Sequence, residues 1–305
     1  MKNTANFLAN KTILILGANG MLGHVLFLEL SRQGYPVYAT TRHSNDLVSR
    51  FPNEQAQRIL GGMEASNPDA LTRVLADVQP DIVINCIGII KQLPIAKDPL
   101  LSITINALFP YRLALLCKAS GARLLHISTD CVFNGQKGQY SETDPSDAED
   151  LYGRSKFLGE VHDPHCITLR TSIIGHELHS HYGLIEWFLA QSDPVQGFTQ
   201  AIYSGFPTLE MARIIGEYVI PNPNLKGLYH VSTTPISKYD LLRLVAQRYG
   251  KAIMIEPYDA FRLDRSLDSR RFQQDTGYRP PAWETLVDRM HQHFLTTPCY
   301  RHRHP

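Results

Sequence analysis

The sequence has almost no net charge. Its 305 residues carry 30 Lys and Arg against 29 Asp and Glu, leaving +1 with histidines neutral. That balance argues against a nucleic-acid binder, which needs a basic face for the phosphate backbone. Together with 43% hydrophobic residues it also argues against disorder. Long apolar runs are missing too. None approaches the ~18 residues of a membrane span, and the longest, Ile82 to Ile90, is strand-sized and broken by Asn85 and Gly88. No apolar stretch precedes Lys11, so a secretory signal is not expected. The five cysteines (Cys86, Cys117, Cys131, Cys166, Cys299) are scattered and contain no C-x-x-C, against a disulfide framework or a zinc ribbon. No internal repeat or low-complexity segment is present. The expectation is a reduced, cytoplasmic globular chain with neither nucleic acid nor membrane as partner; a homodimer is allowed.

What is there is a rhythm of strands and helices. Thr12–Leu16 (TILIL) is a continuously apolar run of the kind buried on both faces of a parallel sheet. After a glycine-rich turn, Leu22, Val25, Leu26 and Leu30 recur at helical spacing, and 36–41 reads as a second strand. Further strands are expected at 81–87, 123–128 and 166–171. Helices are expected at 68–77 and 100–120, the second kinked or broken at Pro110. Beyond Gly175 the rhythm changes. A helix is expected over 184–191 and another over 208–220 with Thr208 as N-cap. A strand at 227–231 follows, and then a capping box, Ser237 to Asp240, for a helix reaching Tyr249. The fold class is α/β, a Rossmann-type doubly wound parallel sheet with a smaller C-terminal substrate-binding lobe. Residues 1–175, completed by 206–231, form the Rossmann domain, 176–205 and 232–295 the lobe, and 296–305 a frayed tail.

Gly17-Ala18-Asn19-Gly20-Met21-Leu22-Gly23 spells G-x-x-G-x-x-G between a strand and a helix. Glycines there let the backbone approach a pyrophosphate, and the helix N-terminus offers it free N–H groups. A dinucleotide fold usually keeps an acid at the end of the second strand for the adenosine 2′-OH. This strand ends Thr40-Thr41-Arg42 without one. Arg42 can pair a 2′-phosphate through its guanidinium, so NADPH is favoured and NADH remains an alternative.

Tyr152 and Lys156 stand four residues apart, on one face if the segment is helical. A nearby cation lowers a phenol's pKa, so this tyrosine is suited to exchange a proton with a carbonyl oxygen. Ser128-Thr129-Asp130 ends a buried strand, where open α/β sheets place their ligands.

Taken in order, GANGMLG, INCIG, HISTDCVFNG, YGRSK, LRTS and GFPT resemble the extended short-chain dehydrogenase/reductases, and within them the dTDP-4-dehydrorhamnose reductase family. The likeness runs from about Thr12 to Trp283. It implies reduction of a keto group, most plausibly at C4, of a nucleotide-activated deoxysugar for cell-surface polysaccharide precursors. It implies that Thr129 bonds the substrate carbonyl, Tyr152 donates the proton, and Lys156 holds the nicotinamide ribose and tunes Tyr152. Gly17, Asn19, Gly20, Met21 and Leu22 would wrap the pyrophosphate. Cys86, Ile87 and Gly88 would line the nicotinamide ribose, and Gly62 and Met63, with Thr41 and Arg42, the adenosine end.

Two positions depart from that family. Cys131 and Ile173 stand where rhamnose-pathway reductases keep aromatics near the sugar, which changes the sugar that fits. Substrate contacts are expected from these two together with Lys91, Ser128 and His176; Arg265 is a weaker candidate for the diphosphate. Related epimerases share the glycine turn and the Tyr–Lys pair. The T-D-E of the related dehydratases is absent, since Cys131 follows Asp130. The family also includes a non-catalytic regulatory subunit of methionine adenosyltransferase. His176, His179 and His181 raise the question of a metal, but trusted zinc spacings are not met, so none is expected.

Overall fold

Alternate residues of the first strand enter different cores. In Ile13–Leu16 (β1), Ile13 and Ile15 pack into one apolar cluster and Leu14 and Leu16 into another. That period of two, apolar on both faces, marks a strand buried inside a sheet. The computed structural model describes residues 11–42, 50–51 and 53–303, with the side chains of 301–303 left aside.

Gly23–Arg32 (α1) follows β1, and Val37–Thr40 (β2) and Ile59–Leu60 (β3) extend the sheet on one side. Pro68–Val78 (α2) starts cleanly because the side chain of Asn67 accepts the N–H groups of Asp69 and Ala70 and Pro68 fills the first turn. Ile82–Asn85 (β4) then pairs β1 on its other edge. Pro99–Ser120 (α3) is apolar and long enough to cross a membrane, yet Phe109, Leu113 and Cys117 bury one side of it in the sheet's second core. The helix does not break at Pro110. A π-helical stretch at Ile103–Leu108 comes just before it and absorbs the missing donor, so the helix continues.

Arg123–Thr129 (β5), Leu151–Leu158 (α4) and Cys166–Thr171 (β6) follow. Then come Ile173–Ile174 (β7), Leu184–Leu189 (α5), Val195–Tyr203 (β8), Phe206–Pro207 (β9), Thr208–Ile214 (α6) and Gly227–His230 (β10). The seven-stranded sheet has the order β10-β6-β5-β4-β1-β2-β3 with every pair parallel, a Rossmann-type doubly wound sheet. β10 returns the 206–231 segment to its edge.

Outside it, Ile236–Ser237 (β11), β8 and Ile255–Asp264 (β12) make a three-stranded sheet in the order β11-β8-β12. β8 and β12 escape the sequence reading because neither is apolar throughout. β12 is mostly solvent-exposed and carries Pro257, which central strands avoid. Lys238–Tyr249 (α7) opens as expected, Ser237 Oγ accepting the Asp240 N–H at 3.0 Å. Thr208 is not a cap: Pro207 holds that position and Thr208 is buried in the first turn against Gly175. The tail is ordered as far as Arg303, its last two residues lying outside the described ones. After Trp283–Thr296 (α8), a 3-10 turn at Pro298–Arg303 buries Cys299 and Tyr300, because two large apolar surfaces there have core to cover.

Candidate active site

The chain leaves β1 for β2 and β3, then crosses back to β4, so the C-terminal ends of β1 and β4 flank a crevice. Gly17 stands there at φ +90°, where a side chain is strained, and a Cβ on it would lie 3.1 Å from Ile87 Cγ1. At Gly23 a Cβ would fall 2.2 Å from the Gly17 carbonyl oxygen, so only glycine lets α1 start this close to its own turn. Asn85 Oδ1 accepts the Ile87 N–H at 3.0 Å and shapes the Cys86–Gly88 turn facing it.

The ends of β2 and β3 are tied by main-chain bonds from Gly62 N to Arg42 O and from Met63 N to Thr41 O, both 3.1 Å. Met63 is therefore a correction at side-chain level. Its side chain is buried in the second core, and only its backbone faces the strand ends. Thr41 is buried and Arg42 exposed; residues 43–49 lie outside the described residues.

Across the crevice, Thr129 ends β5. Its Oγ1 accepts the Cys131 N–H at 3.1 Å and donates to Asp130 Oδ1 at 3.1 Å. Asp150 caps α4 by accepting the Gly153 N–H at 2.7 Å. A Cβ at Gly153 would fall 2.2 Å from the Cys131 carbonyl, so this glycine sets how closely α4 seats on the strand end. That seating brings the half-buried Tyr152 beside Thr129, near enough for the two hydroxyls to interact. Burial pushes the Tyr152 phenol well above its usual range, and the Cys131, Asp130 and Asp150 side chains push the same way; only the Thr129 bond opposes them.

The expectation that Lys156 depresses that pKa is thus corrected. Lys156 Nζ turns away to donate to the Ile127 carbonyl at 2.8 Å. Burial lowers this ammonium to about 8, against Glu160 and Cys86. Its other neighbour is the Cys86–Gly88 turn, since a Cβ on Gly88 would lie 3.9 Å from Nζ.

Two expected substrate contacts are not in the crevice. Ser128 lies on the opposite face of β5 from Thr129, as neighbouring strand residues must, and its Oγ donates to Glu160 Oε1 at 2.7 Å. Glu160 there meets Arg170 in a buried ion pair at 2.7 Å. His176 is buried behind α1: its Nδ1 lies 2.6 Å from Glu186 Oε1 and its Nε2 2.9 Å from Tyr249 OH, and its ring stacks on Phe294. A ring so committed does not reach a sugar. His179 lies toward Arg50, and His181 shares the Glu186 carboxylate with His176, its Nδ1 3.5 Å from Oε2.

Cys131, Lys91 and Arg265 do meet. Lys91 Nζ is 3.9 Å and Arg265 Nη1 3.6 Å from the Cys131 sulfur. Burial raises that thiol to about 11, so it stays neutral. Ile173 is half-buried in β7, paired with Phe206.

Sequence reasoning missed Asn106, which sits in the π-helical stretch. Its Oδ1 accepts the Ile89 N–H at 2.8 Å, and its Nδ2 donates to Ile89 O at 3.1 Å and Ser155 Oγ at 3.2 Å. It ties the turn after β4 to α4. The signal was a lone amide inside an apolar helical run, as Asn85 is inside an apolar strand.

A dinucleotide fits these residues. The glycine turn is a cradle that side chains would fill, and two buried side-chain oxygens at the strand ends, Asn19 Oδ1 and Thr40 Oγ1, have no partner among the described residues. Buried polar atoms left open are costly unless a ligand completes them.

Comparison with known proteins agrees with this geometry. A family model described as "RmlD substrate binding domain" matches residues 11–296. The spore coat polysaccharide biosynthesis protein SpsK of Bacillus subtilis is 28% identical over 292 residues, 90% of this chain and 95% of that one. The dTDP-4-dehydrorhamnose reductase of Streptomyces griseus is 32% identical over 148 residues, 48% of this chain and 43% of that protein. The fold is that of the dTDP-4-dehydrorhamnose reductase from Bacillus anthracis, solved in complex with NADP: TM-score 0.77 at 22% identity, covering 93% of this chain and 99% of that one.

Proposed function

The chain belongs to the RmlD substrate-binding domain family, and from that premise we propose that it reduces a keto group of a nucleotide-activated deoxysugar with NADPH. The ketone is at C4, and the product is a precursor of a cell-surface polysaccharide. The observation that carries this reading is that α4 sets Tyr152 beside Thr129 at the end of β5 and, one turn on, Lys156 beside the Cys86–Gly88 turn that faces the glycine turn.

Gly17 to Leu22 and the α1 N-terminus would hold the pyrophosphate, Arg42 a 2′-phosphate, and Cys86 to Gly88 with Lys156 the nicotinamide ribose. NADPH, when bound, supplies the hydride for the ketone carbon. Thr129 Oγ1 and the neighbouring Tyr152 phenol would hold the ketone oxygen between them. A phenol whose pKa is raised remains protonated at neutral pH, so Tyr152 enters the reaction as an acid ready to give its proton to that oxygen. Lys156, anchored on Ile127 O, is a donor for ribose hydroxyls more than a tuner of Tyr152.

The test is NADPH oxidation by the purified chain across a panel of 4-keto nucleotide sugars, followed by NADPH absorbance. Substrate-dependent oxidation is expected. None across the panel, with NADPH still bound, would favour a cofactor-binding regulatory subunit.

A further inference from the structure

Two cations from separate parts of the chain converge on the thiol of Cys131, and a third lies within electrostatic reach of it. Lys91 comes from the segment after β4, Arg265 from the end of β12, and Lys238 from the first turn of α7. Arg265 is held in place by its Nε, which donates to the Phe133 carbonyl at 2.7 Å, while Nη1 faces the sulfur. Lys238 is near enough to feel the other two. Its ammonium is held below its usual value by burial and then by the Lys91 charge, with Arg265 acting the same way. Among the described residues none of the three forms an ion pair with a carboxylate. Asp130 is the acid in their midst, and it is itself buried and hydrogen-bonded to Thr129.

Asp130 offsets part of this positive charge, but one carboxylate among three cations leaves an excess, and a further anion is favoured there. The proton-transfer residues do not need them. Cys131 binds back to Thr129 through its own N–H, and its carbonyl lies against Gly153 next to Tyr152, so the cations border the place proposed for the ketone oxygen. A thiol is small, and an aromatic side chain at this position would stand between the cations and the crevice.

We propose that Lys91, Lys238 and Arg265 form an oxyanion subsite beside Cys131, which binds a phosphate or carboxylate group carried by the sugar substrate. The proposal deepens the nucleotide-sugar reading and rests on it. Two sources share this chemistry: the diphosphate of the nucleotide, and a carboxylate on the sugar ring.

The experiment is calorimetric binding to the full chain and to Lys91→Met, Lys238→Met and Arg265→Met. The probes are UDP, dTDP, UMP, dTMP, UDP-glucose and UDP-glucuronate. If the diphosphate is the occupant, each variant weakens UDP or dTDP by about tenfold or more, as loss of a charge-assisted bond implies, and leaves the monophosphates nearly unchanged. If a sugar carboxylate is the occupant, UDP binding is unchanged, and the preference for UDP-glucuronate over UDP-glucose disappears in the variants. Either result supports the subsite. Equal affinities of all six probes for the wild type and all three variants overturn it. Lys91 is exposed, so its variant keeps the test readable if a buried one misfolds. Cation-dependent diphosphate binding in a chain that oxidises no NADPH would leave the subsite standing and remove the reductase reading instead.

Discussion

His24 Nε2 lies 2.5 Å from the Tyr300 hydroxyl, although 276 positions separate them in sequence. The other ring nitrogen, Nδ1, faces the Gly20 carbonyl at 2.8 Å. A carbonyl only accepts, so Nδ1 carries the hydrogen, Nε2 is the lone-pair side, and Tyr300 donates to it. Burial pushes this imidazole down to about 3, which keeps it neutral. The C-terminal turn is thereby fastened through α1 to the glycine turn.

Tyr300→Phe leaves the buried Nε2 without a donor. A loss of roughly 1–3 kcal/mol is expected, read from the urea midpoint, with a several-fold weaker NADPH dissociation constant by fluorescence titration. An unchanged midpoint and unchanged affinity would show that the contact fixes nothing.

Tyr152→Phe removes the proton donor and little of the packing. Turnover should fall about 10²- to 10⁴-fold while NADPH affinity stays near wild type. Turnover near the wild-type value would remove Tyr152 from the role assigned to it.

Lys156 predicts an alkaline limit. Its folded pKa is lowered to about 8, so the ammonium proposed to donate to the ribose is lost as pH rises through that value. The kcat/KM profile should therefore fall above pH about 8, and Lys156→Arg, whose charge persists, should move the limb upward even if the rate is lower. Stability moves in the opposite sense. The unfolded chain keeps this proton up to its ordinary value of 10.5, so stability rises with pH between about 8 and there.

Acid acts through the buried histidines. Burial lowers His24 to about 3 and His230 to about 4, while an unfolded histidine titrates near 6.5. Below that value the unfolded chain binds more protons than the folded one, so stability is lost progressively as pH falls from about 6.5 toward 4. Urea midpoints measured across that interval check it. A flat profile would mean that these rings are solvated.

Glu160→Gln breaks the buried pair with Arg170 and leaves the guanidinium uncompensated. A loss of roughly 3–5 kcal/mol is expected in denaturant unfolding. A loss under about 1 kcal/mol, the ceiling for most surface pairs, would mean the pair is not desolvated.

The central sheet was legible because β1 and β4 are short apolar runs, the mark of a strand covered on both faces. The glycine turn was legible for a local reason: the backbone conformation at Gly17 and the contact at Gly23 admit no side chain. Tyr152 and Lys156 were legible as a spacing. β12 was not, because an exposed strand needs no apolar pattern. Ser128 and His176 were misplaced for another reason: a polar residue beside a motif looks the same whether it faces the crevice or a buried partner.

By itself the sequence determined what depends on neighbours along the chain: the strand–turn–helix that opens the fold, the capping of α7, and the helical spacing of the tyrosine and lysine. Only the tertiary structure decided where side chains from distant segments meet. It turned Lys156 to Ile127 rather than to Tyr152, buried Tyr300 on His24, and set Lys91 and Arg265 against Cys131. Charge and burial act through space. A sequence with +1 net charge therefore gave no sign that Lys91 and Arg265 meet at Cys131.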